Sequence, residues 1–286
     1  MLCAQFTDPR TYTQAPVGLN QLELDYAHAH SNSSIDTTLV VAGAGFILNE
    51  ATVAYTHDFA LLGHLAWVKT MFPFAHLNGS IAGDFSSSAT GSSDLSIEFA
   101  TLLQGGQALS MTEFAAYTPN TTMGVSLTIT APTGEYNADK LLNLGSNRWS
   151  FKPEFAVAYP FGTEQKWEAD GYINAYFFSD NTAYRGVEIL RQEPLPGLEA
   201  HISYSFTSSV WASLDARFSF RGDTVVDGMD QDDAQQNLTV GSEASWSLNP
   251  RNALTLVLAK AVVHKNAPAF TGVAVKYVYS WGKGYQ

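Results

Sequence analysis

A histidine and a serine lie two residues apart in His201-Ile202-Ser203, and an acid, Asp215, follows in the next predicted strand. A histidine that is oriented by a carboxylate and reaches a serine hydroxyl is the arrangement used in nucleophilic ester hydrolysis. Side chains two positions apart on a β-strand point to the same face, so His201 and Ser203 share a face if this segment is extended. Whether the trio can act on a substrate therefore depends on where that face points.

The segment that holds the histidine, residues 198–206, alternates apolar residues at even positions with polar residues at odd positions. A period of two predicts a strand with one apolar and one polar face. The same alternation recurs along the whole chain in segments of about ten residues separated by turn-forming loops, which is typical of a membrane-spanning β-barrel. We therefore predict an all-β fold, a transmembrane antiparallel up-and-down barrel in the outer membrane of a Gram-negative bacterium.

Composition agrees with a barrel and excludes other classes. The aromatic share of the 286 residues is 13%, with 13 Tyr and 17 Phe, and aromatic rings collect where barrel walls meet the two lipid–water interfaces. The longest apolar run, residues 39–48, has ten residues and contains two glycines, so a helical membrane protein is excluded. The net charge of -12 argues against nucleic acid, and the single cysteine, Cys3, excludes an intrachain disulfide.

The chain divides into four predicted parts. Residues 1–4 resemble a remnant of a signal peptide, residues 5–18 form an N-terminal arm, residues 19–281 form the barrel of about twelve strands, and residues 282–286 are a C-terminal tail. Short turns near Leu62, Gly162, Ser208 and Pro250 fall on one side of the barrel, and both termini lie on that side, which predicts periplasmic termini. We interpret residues 78–93 as a Ser/Gly-rich loop, and the faces of the preceding strand are not assigned by its pattern.

The polar faces of the predicted strands carry charges of both signs, with more acids than bases, so the interior is predicted to be charged. An open lumen of this kind is a polar channel or binding tunnel, while a lumen filled by ion pairs conducts nothing. Three aromatic residues are also predicted to point inward and are candidates for a stacking track: Tyr172, Phe178 and Trp211. The lumen-lining candidates are Glu98, Arg148, Lys152, Glu154, Glu168, Asp170, Tyr172, Phe178, His201, Trp211, Asp215, Arg217, Glu243 and Lys276. Further bases on the polar parity include Lys69, Lys166 and Arg221.

Parity argues against catalysis by the His201 trio. The arrangement resembles that of outer-membrane phospholipase, which acts on lipid from the outer wall of its barrel, whereas Ile202 and Tyr204 occupy the lipid side here and leave His201 and Ser203 inside. We predict no catalytic residue and no enzyme.

Metal sites and cofactors are not predicted either. The aspartates of residues 221–236 fit no calcium-loop template, and we interpret them as an acidic surface loop. His28 and His30 share a strand face, and we interpret them as polar residues near a loop rather than as a metal pair.

Two motifs carry a family resemblance that covers most of the chain. They are Pro132-Thr133-Gly134-Glu135-Tyr136 and Leu144-Gly145-Ser146-Asn147-Arg148-Trp149-Ser150-Phe151-Lys152-Pro153-Glu154, supported by Tyr176-Phe177-Phe178-Ser179-Asp180-Asn181. With these motifs the chain resembles the outer-membrane barrels of the meta-pathway phenol-degradation family, often called transporters. The resemblance implies an outer-membrane location and uptake of aromatic or other hydrophobic compounds, and it brings no catalytic motif.

The predicted function is an outer-membrane pore or transporter for small hydrophobic or aromatic compounds. Its partners are then membrane lipid and a small-molecule solute, and no nucleic acid. The alternative is a closed structural barrel that anchors or partners another envelope protein complex, and a lipid hydrolase has low weight. The sequence leaves open which substrate crosses and whether the arm plugs the lumen.

Overall fold

A computed structural model describes residues 7–32, 44–81, 85–140, 142–282 and 284. The predicted signal-peptide remnant and Cys3 lie outside the described residues, and of the predicted tail only Gly282 and Gly284 are described. Within the described residues the strands are β1 (Leu19–Ser31), β2 (Ala44–Leu61), β3 (His64–Ile81), β4 (Phe85–Ser92), β5 (Ser96–Gln104), β6 (Thr122–Thr130), β7 (Ser150–Phe161), β8 (Trp167–Phe178), β9 (Asn181–Tyr184), β10 (Glu188–Gln192), β11 (Leu195–Ser205), β12 (Val210–Arg221), β13 (Thr224–Val226), β14 (Met229–Asp230), β15 (Gln235–Asn249), β16 (Asn252–Lys265) and β17 (Phe270–Gly282).

Across the described residues, twelve of these strands close into one antiparallel barrel. Their order around the wall is β1, β2, β3, β5, β6, β7, β8, β11, β12, β15, β16 and β17. Strand β1 pairs with β2 on one side and with β17 on the other, and this second pairing closes the ring. A closed ring leaves no edge of the barrel wall without hydrogen-bond partners, which is what a lipid environment demands. The predicted twelve-strand barrel is confirmed.

The outer wall carries an apolar belt because the alternation places one apolar face outward on every barrel strand. Each strand contributes at least one exposed apolar side chain: Leu24, Val53, Phe72, Phe99, Leu127, Phe155, Ile173, Leu198, Leu214, Val240, Leu256 and Val275. Most charged side chains on the barrel strands, by contrast, are buried. An apolar exterior around a charged interior is the reverse of a water-soluble protein and is typical of an outer-membrane barrel.

The two ends of the barrel differ. We call the end where β1 begins and β17 finishes the terminal rim, and the opposite end the loop rim. Most connections at the terminal rim are short, as predicted, but residues 105–121 form a longer one that contains helix α1 (Met111–Phe114). Ser110 and Glu113 form a capping box at that helix, and the side-chain hydrogen bond from Ser110 holds the pKa of Glu113 below its usual range. At the loop rim the β16–β17 connection, residues 266–269, is short.

The loop rim carries more ordered structure than the sequence predicts. Residues 78–93, predicted as a loop, instead extend β3 to Ile81 and return as β4, which pairs with the loop-side half of β3. A second, four-stranded sheet is built from β9, β10, β13 and β14. Serine and glycine are typical of loops, but the serines and the glycine of β4 lie in a strand that pairs antiparallel with β3.

No helix in the described part of the chain combines the length and the apolar character needed to cross a membrane.

Candidate functional site

The arm, residues 7–18, enters the barrel from the terminal rim. Its last residues are held there by backbone hydrogen bonds, from Gly18 N to Asp58 O and from Val17 N to Leu109 O, both at 2.8 Å. The side-chain amide of Gln14 donates to Gln107 O at 2.6 Å. The long connection of residues 105–121 therefore fixes the base of the arm, and the arm rises from it into the lumen.

Tyr12 is the central contact of the arm. Its ring is fully buried and lies 5.4 Å, between ring centroids, from both Trp67 and Tyr172. Its hydroxyl donates to Oε1 of Glu154 at 3.0 Å and lies 2.8 Å from Oγ of Ser126. A buried hydroxyl that bonds a carboxylate is costly to remove, because the carboxylate oxygen then loses a partner. The arm is thus held by side chains of the barrel wall and not only at its base.

Arg10, two residues before Tyr12, contacts strands β8, β11 and β12 of the barrel wall. Its backbone N–H donates to Oδ2 of Asp170 at 3.0 Å, and its guanidinium donates to the hydroxyls of Ser203 at 2.8 Å and Ser205 at 3.0 Å. The guanidinium carbon also lies 4.9 Å from the ring centroid of Trp211. Arg10 therefore occupies two of the positions that an enzyme or a stacking track would need free.

Thr7 and Asp8, the first described residues of the arm, bond buried charged side chains of the lumen wall. The hydroxyl of Thr7 donates to the carboxylate of Glu154 at 2.8 to 2.9 Å and accepts from Nζ of Lys152 at 2.9 Å. Asp8 accepts from Nζ of Lys276 at 2.5 Å across the lumen. Because the arm bonds both β7 and β17, it bridges the barrel interior.

The wall charges around the arm form a buried ion-pair network. Lys152 Nζ lies 3.1 Å from Glu154 and 3.9 Å from Glu199, and Arg217 lies 3.4 Å from Glu199 and 3.7 Å from Glu243. Buried ions are tolerated only when they are paired, so removing one member leaves an uncompensated charge. The network therefore resists both water and rearrangement.

The structure places all fourteen lumen-lining candidates in contact with the interior or with the arm. Glu98 accepts from Nε1 of Trp67, and Glu168 accepts from Thr13. The buried members are Arg148, Lys152, Glu154, Glu168, Asp170, Tyr172, His201, Asp215, Arg217, Glu243 and Lys276, and the half-buried members are Glu98, Phe178 and Trp211. Their part in conduction stays a prediction.

Two bases on the predicted polar parity do not face the lumen. Lys166 lies in the β7–β8 turn at the terminal rim, where it pairs with Glu164 at 2.6 Å with a side chain 40% exposed. Arg221 is exposed at the loop-rim end of β12, with a positive φ of 69°. Both residues fall where a strand ends and the alternation stops, so parity no longer reports the direction of the side chain.

The sequence misses the arm's own contacts and the inward face of β3. On β3 the inward residues include Leu65, Trp67 and Met71 as well as Lys69, which pairs with Glu23 at 3.0 Å. Apolar side chains face inward there because they pack against the arm rather than against water. The sequence signal that could have predicted this packing is the arm itself. It is too short to fold alone, so its aromatic and polar side chains need partners on the barrel wall.

The His201 trio is only partly assembled. Nδ1 of His201 lies 2.7 Å from Oδ1 of Asp215, but the hydroxyl of Ser203 accepts from Arg10, and a second serine, Ser213, donates to Asp215 at 3.2 Å. No hydrogen bond between His201 and Ser203 is found among the described residues. The pair is thus a buried polar contact of the lumen wall.

Among the described residues, a cavity lies in the loop-side half of the lumen. Its volume is about 140 Å³, and its lining includes Arg148, Ser150, Tyr176, Phe178 and Leu195. The guanidinium carbon of Arg148 lies 4.3 Å from the ring centroid of Phe178. An apolar cavity of about 150 Å³ holds benzene in an engineered protein, so this space matches one aromatic ring in volume.

The two sequence motifs of the 132–154 region close one side of this cavity. The carboxylate of Asp94 accepts from the backbone N–H groups of Gly134 and Ser146, each at 2.8 Å, and from the hydroxyl of Ser146 at 2.6 Å. A Cβ on Gly134 would meet Cα of Gly145 at 2.8 Å, so both motifs need glycine for this close backbone approach. Asp94 therefore pins the loop, and Leu142 and Leu144 pack against Phe46, Leu48 and Leu77.

The aspartates of residues 221–236 serve the small sheet at the loop rim. Asp233 accepts from the backbone and hydroxyl of Thr224, and Asp227 accepts from Ile189 N at 2.8 Å. In the part of the chain that is described, no group of three His, Cys, Asp or Glu residues could hold a metal ion.

Comparison with known proteins agrees with the barrel fold. The family described as "Putative MetA-pathway of phenol degradation" matches residues 31–277. The crystal structure of an outer membrane channel from Pseudomonas putida F1 is similar, with a TM-score of 0.83 and 22% identity over 96% of this chain and 100% of that chain. No curated protein matches the chain.

Two autotransporter barrels share the fold more distantly. The β domain of the Bordetella autotransporter BrkA has a TM-score of 0.53 and 9% identity, covering 93% of this chain and 100% of that chain. The transport unit of the autotransporter AIDA-I from Escherichia coli has a TM-score of 0.53 and 10% identity, covering 96% of this chain and 93% of that chain. The predicted family is confirmed, and the barrel fold that the chain shares with an outer membrane channel agrees with the predicted outer-membrane location.

Proposed function

Because the chain belongs to the phenol-degradation family of outer-membrane barrels, matched over residues 31–277, we propose that it admits small hydrophobic or aromatic molecules across the outer membrane. The observation that carries the proposal is the loop-side cavity, which has the volume of one aromatic ring and is walled by Phe178, Tyr176 and Leu195. The lining is mixed, because Arg148, Glu199 and Arg217 line the cavity as well, so its volume and its aromatic wall are what support an aromatic solute. The arm then sets how readily the ring passes beyond it.

Both termini face the periplasm in this proposal. Barrels of bacterial outer membranes place their short turns on the periplasmic side and their longer loops outside. Here the terminal rim carries the short β2–β3, β7–β8, β11–β12 and β15–β16 turns, while the loop rim carries β4, the small sheet and the pinned loop. The cavity consequently opens toward the outside and the arm enters from the periplasm.

Filling the cavity tests this function. Ser150 lines the cavity on the inward face of β7, so Ser150→Trp places an indole in the space that a substrate ring would occupy. We expect the initial rate of radiolabelled phenol uptake by bacteria that produce the variant to fall to that of bacteria without the protein. Phe151 is the next residue and is exposed outward, so Phe151→Trp is the matched control and keeps wild-type uptake.

Two measurements on the wild-type protein test the alternative function. A closed barrel that anchors another envelope complex predicts no phenol uptake above background in the wild type, and no ion conductance in a planar bilayer. The buried ion pairs around Lys152 and Arg217 favour that alternative, because a fully paired lumen conducts little. Equal uptake with Ser150→Trp and wild type contradicts the cavity as the substrate path. An envelope protein partner stays a prediction.

A further inference from the structure

The outer face of β1 changes character toward the loop rim. Leu24 and Tyr26 are exposed in the apolar belt, and the next two residues on the same face are His28 and His30. His28 is half-buried and His30 is exposed. The two imidazoles therefore stand just beyond the belt, on the loop side, where water and ions reach them.

The tautomer of His28 follows from its neighbour. Nδ1 of His28 lies 2.9 Å from Oδ1 of Asn49, directly across the β1–β2 pairing. A carbonyl oxygen only accepts, so Nδ1 carries the proton and Nε2 presents its lone pair. The hydroxyl of Tyr26 donates to the same oxygen at 2.9 Å and holds the amide in place. Histidines that bind metals are commonly oriented in this way, by an acceptor on the second ring nitrogen.

The spacing of the two rings matches a shared metal ion. Nε2 of His28 and Nε2 of His30 lie 3.3 Å apart, with the ring planes at 82°. Two nitrogens that bind one metal ion at 2.0–2.1 Å lie about 2.9 to 3.4 Å apart, depending on the coordination geometry, and the distance between these two falls in that range. We propose that His28 and His30 form a bidentate site for Zn²⁺ on the outer wall at the loop rim.

The site has two protein ligands and an open side. In the described chain, no third His, Cys, Asp or Glu joins a metal-holding group, so the two imidazoles are the ligands that the proposal names. Two ligands on a rigid strand bind more weakly than the three or four of a structural zinc site, and the ion exchanges with the medium. The site takes a borderline divalent ion rather than Ca²⁺ or Mg²⁺, because imidazole nitrogen suits zinc and its neighbours.

Calorimetric titration with ZnCl₂ tests the site, using full-length protein purified in detergent without a histidine tag. We expect one zinc ion per barrel in the wild type and at least tenfold weaker binding in both His28→Gln and His30→Gln. Asn49→Ala, which removes the acceptor that orients His28, weakens binding by about 10- to 100-fold, as is usual when a metal-binding histidine loses the group that orients it. Each variant is first shown to fold by its heat-dependent migration on a gel.

His76 supplies the matched control. It is exposed on the same outer face, two strands away in the Asn49 register, but its Nδ1 lies 2.6 Å from Thr90 Oγ1 and its Nε2 lies 3.0 Å from Asn78 Nδ2. Both nitrogens are engaged, so His76→Gln keeps wild-type zinc binding. Absence of zinc binding in the wild type shows that the 3.3 Å contact is an imidazole–imidazole hydrogen bond and overturns the proposal. Wild-type affinity in His30→Gln overturns it too.

Discussion

The hydroxyl of Tyr12 donates to Oε1 of Glu154 at 3.0 Å, although the two residues are 142 positions apart in the chain. Glu154 belongs to the barrel wall and Tyr12 to the arm, so this hydrogen bond joins the arm to the barrel. Around it the Tyr12 ring packs against Trp67 and Tyr172, and Thr122 donates to its backbone oxygen at 2.7 Å. The conductance of the lumen should therefore respond to this one side chain.

Replacing Tyr12 with alanine should open the lumen. The change removes a fully buried ring and its bond to Glu154, and water replaces both. We expect the single-channel conductance in a planar bilayer to rise several-fold. Tyr159 is exposed on the outer wall, so Tyr159→Ala removes the same atoms and leaves conductance unchanged. An unchanged conductance in Tyr12→Ala would mean that the arm does not limit passage.

A single methyl group on the wall should displace the same ring. A Cβ on Gly124 would lie 2.6 Å from Cδ1 of Tyr12 and 3.0 Å from Thr101 O, so Gly124→Ala forces the arm or the wall to shift. Overpacking of this kind costs about 1 to 3 kcal/mol. Gly171→Ala is the control, because a Cβ there meets nothing within 4 Å. The midpoints of urea unfolding in detergent should separate the two variants, and equal midpoints would contradict the close contact.

Neighbouring residues on β16 should tolerate arginine very differently. Leu256 is exposed on the lipid-facing wall, and Leu256→Arg should lower the free energy of unfolding by about 2 to 4 kcal/mol. Val257 faces inward, directly across from Glu243, so Val257→Arg places its charge beside a carboxylate and should cost much less. Equilibrium unfolding in lipid vesicles measures both. Equal losses would show that the two faces are wrongly assigned.

The lumen should prefer cations. Since Lys166 and Arg221 lie outside it, the inward wall is more acidic than the sequence suggests, and carboxylates in a low-dielectric wall attract positive ions. A reversal potential under a salt gradient should show cation preference in the Tyr12→Ala variant, where conductance is largest. Glu243→Gln removes one inward charge and should reduce that preference. Anion preference would refute the assignment of inward acids.

Most barrel strands could be predicted from the sequence because apolar and polar residues alternate along them, with the apolar face toward lipid. The wall of β11 shows this well: Leu198 and Ile202 are exposed, and Glu199, His201 and Ser203 are buried, as the period of two requires. The register of neighbouring strands follows from the same pattern, since a shift by one residue would turn the charged side chains of a strand toward lipid. The predicted barrel was therefore determined by a pattern that lipid enforces.

Structure inside the lumen and beyond the membrane could not be predicted in the same way. On β3, Leu65 and Trp67 face inward because the arm covers them, so an apolar residue no longer marks the lipid side. At the loop rim, β4 and the small sheet stand in water, where serine and aspartate strands carry no lipid-facing pattern. Contacts such as Arg10 with Ser203 depend on the path of the arm, which no periodicity encodes.

The arm's contacts also dictate an order of assembly. Arg10 bonds Ser203 and Ser205, which follow it by 193 and 195 residues, and Asp8 bonds Lys276, 268 residues later. Contacts of such sequence separation form only after the intervening chain is in place. The arm is synthesised before these partners and consequently completes its contacts only once the last strands are in place.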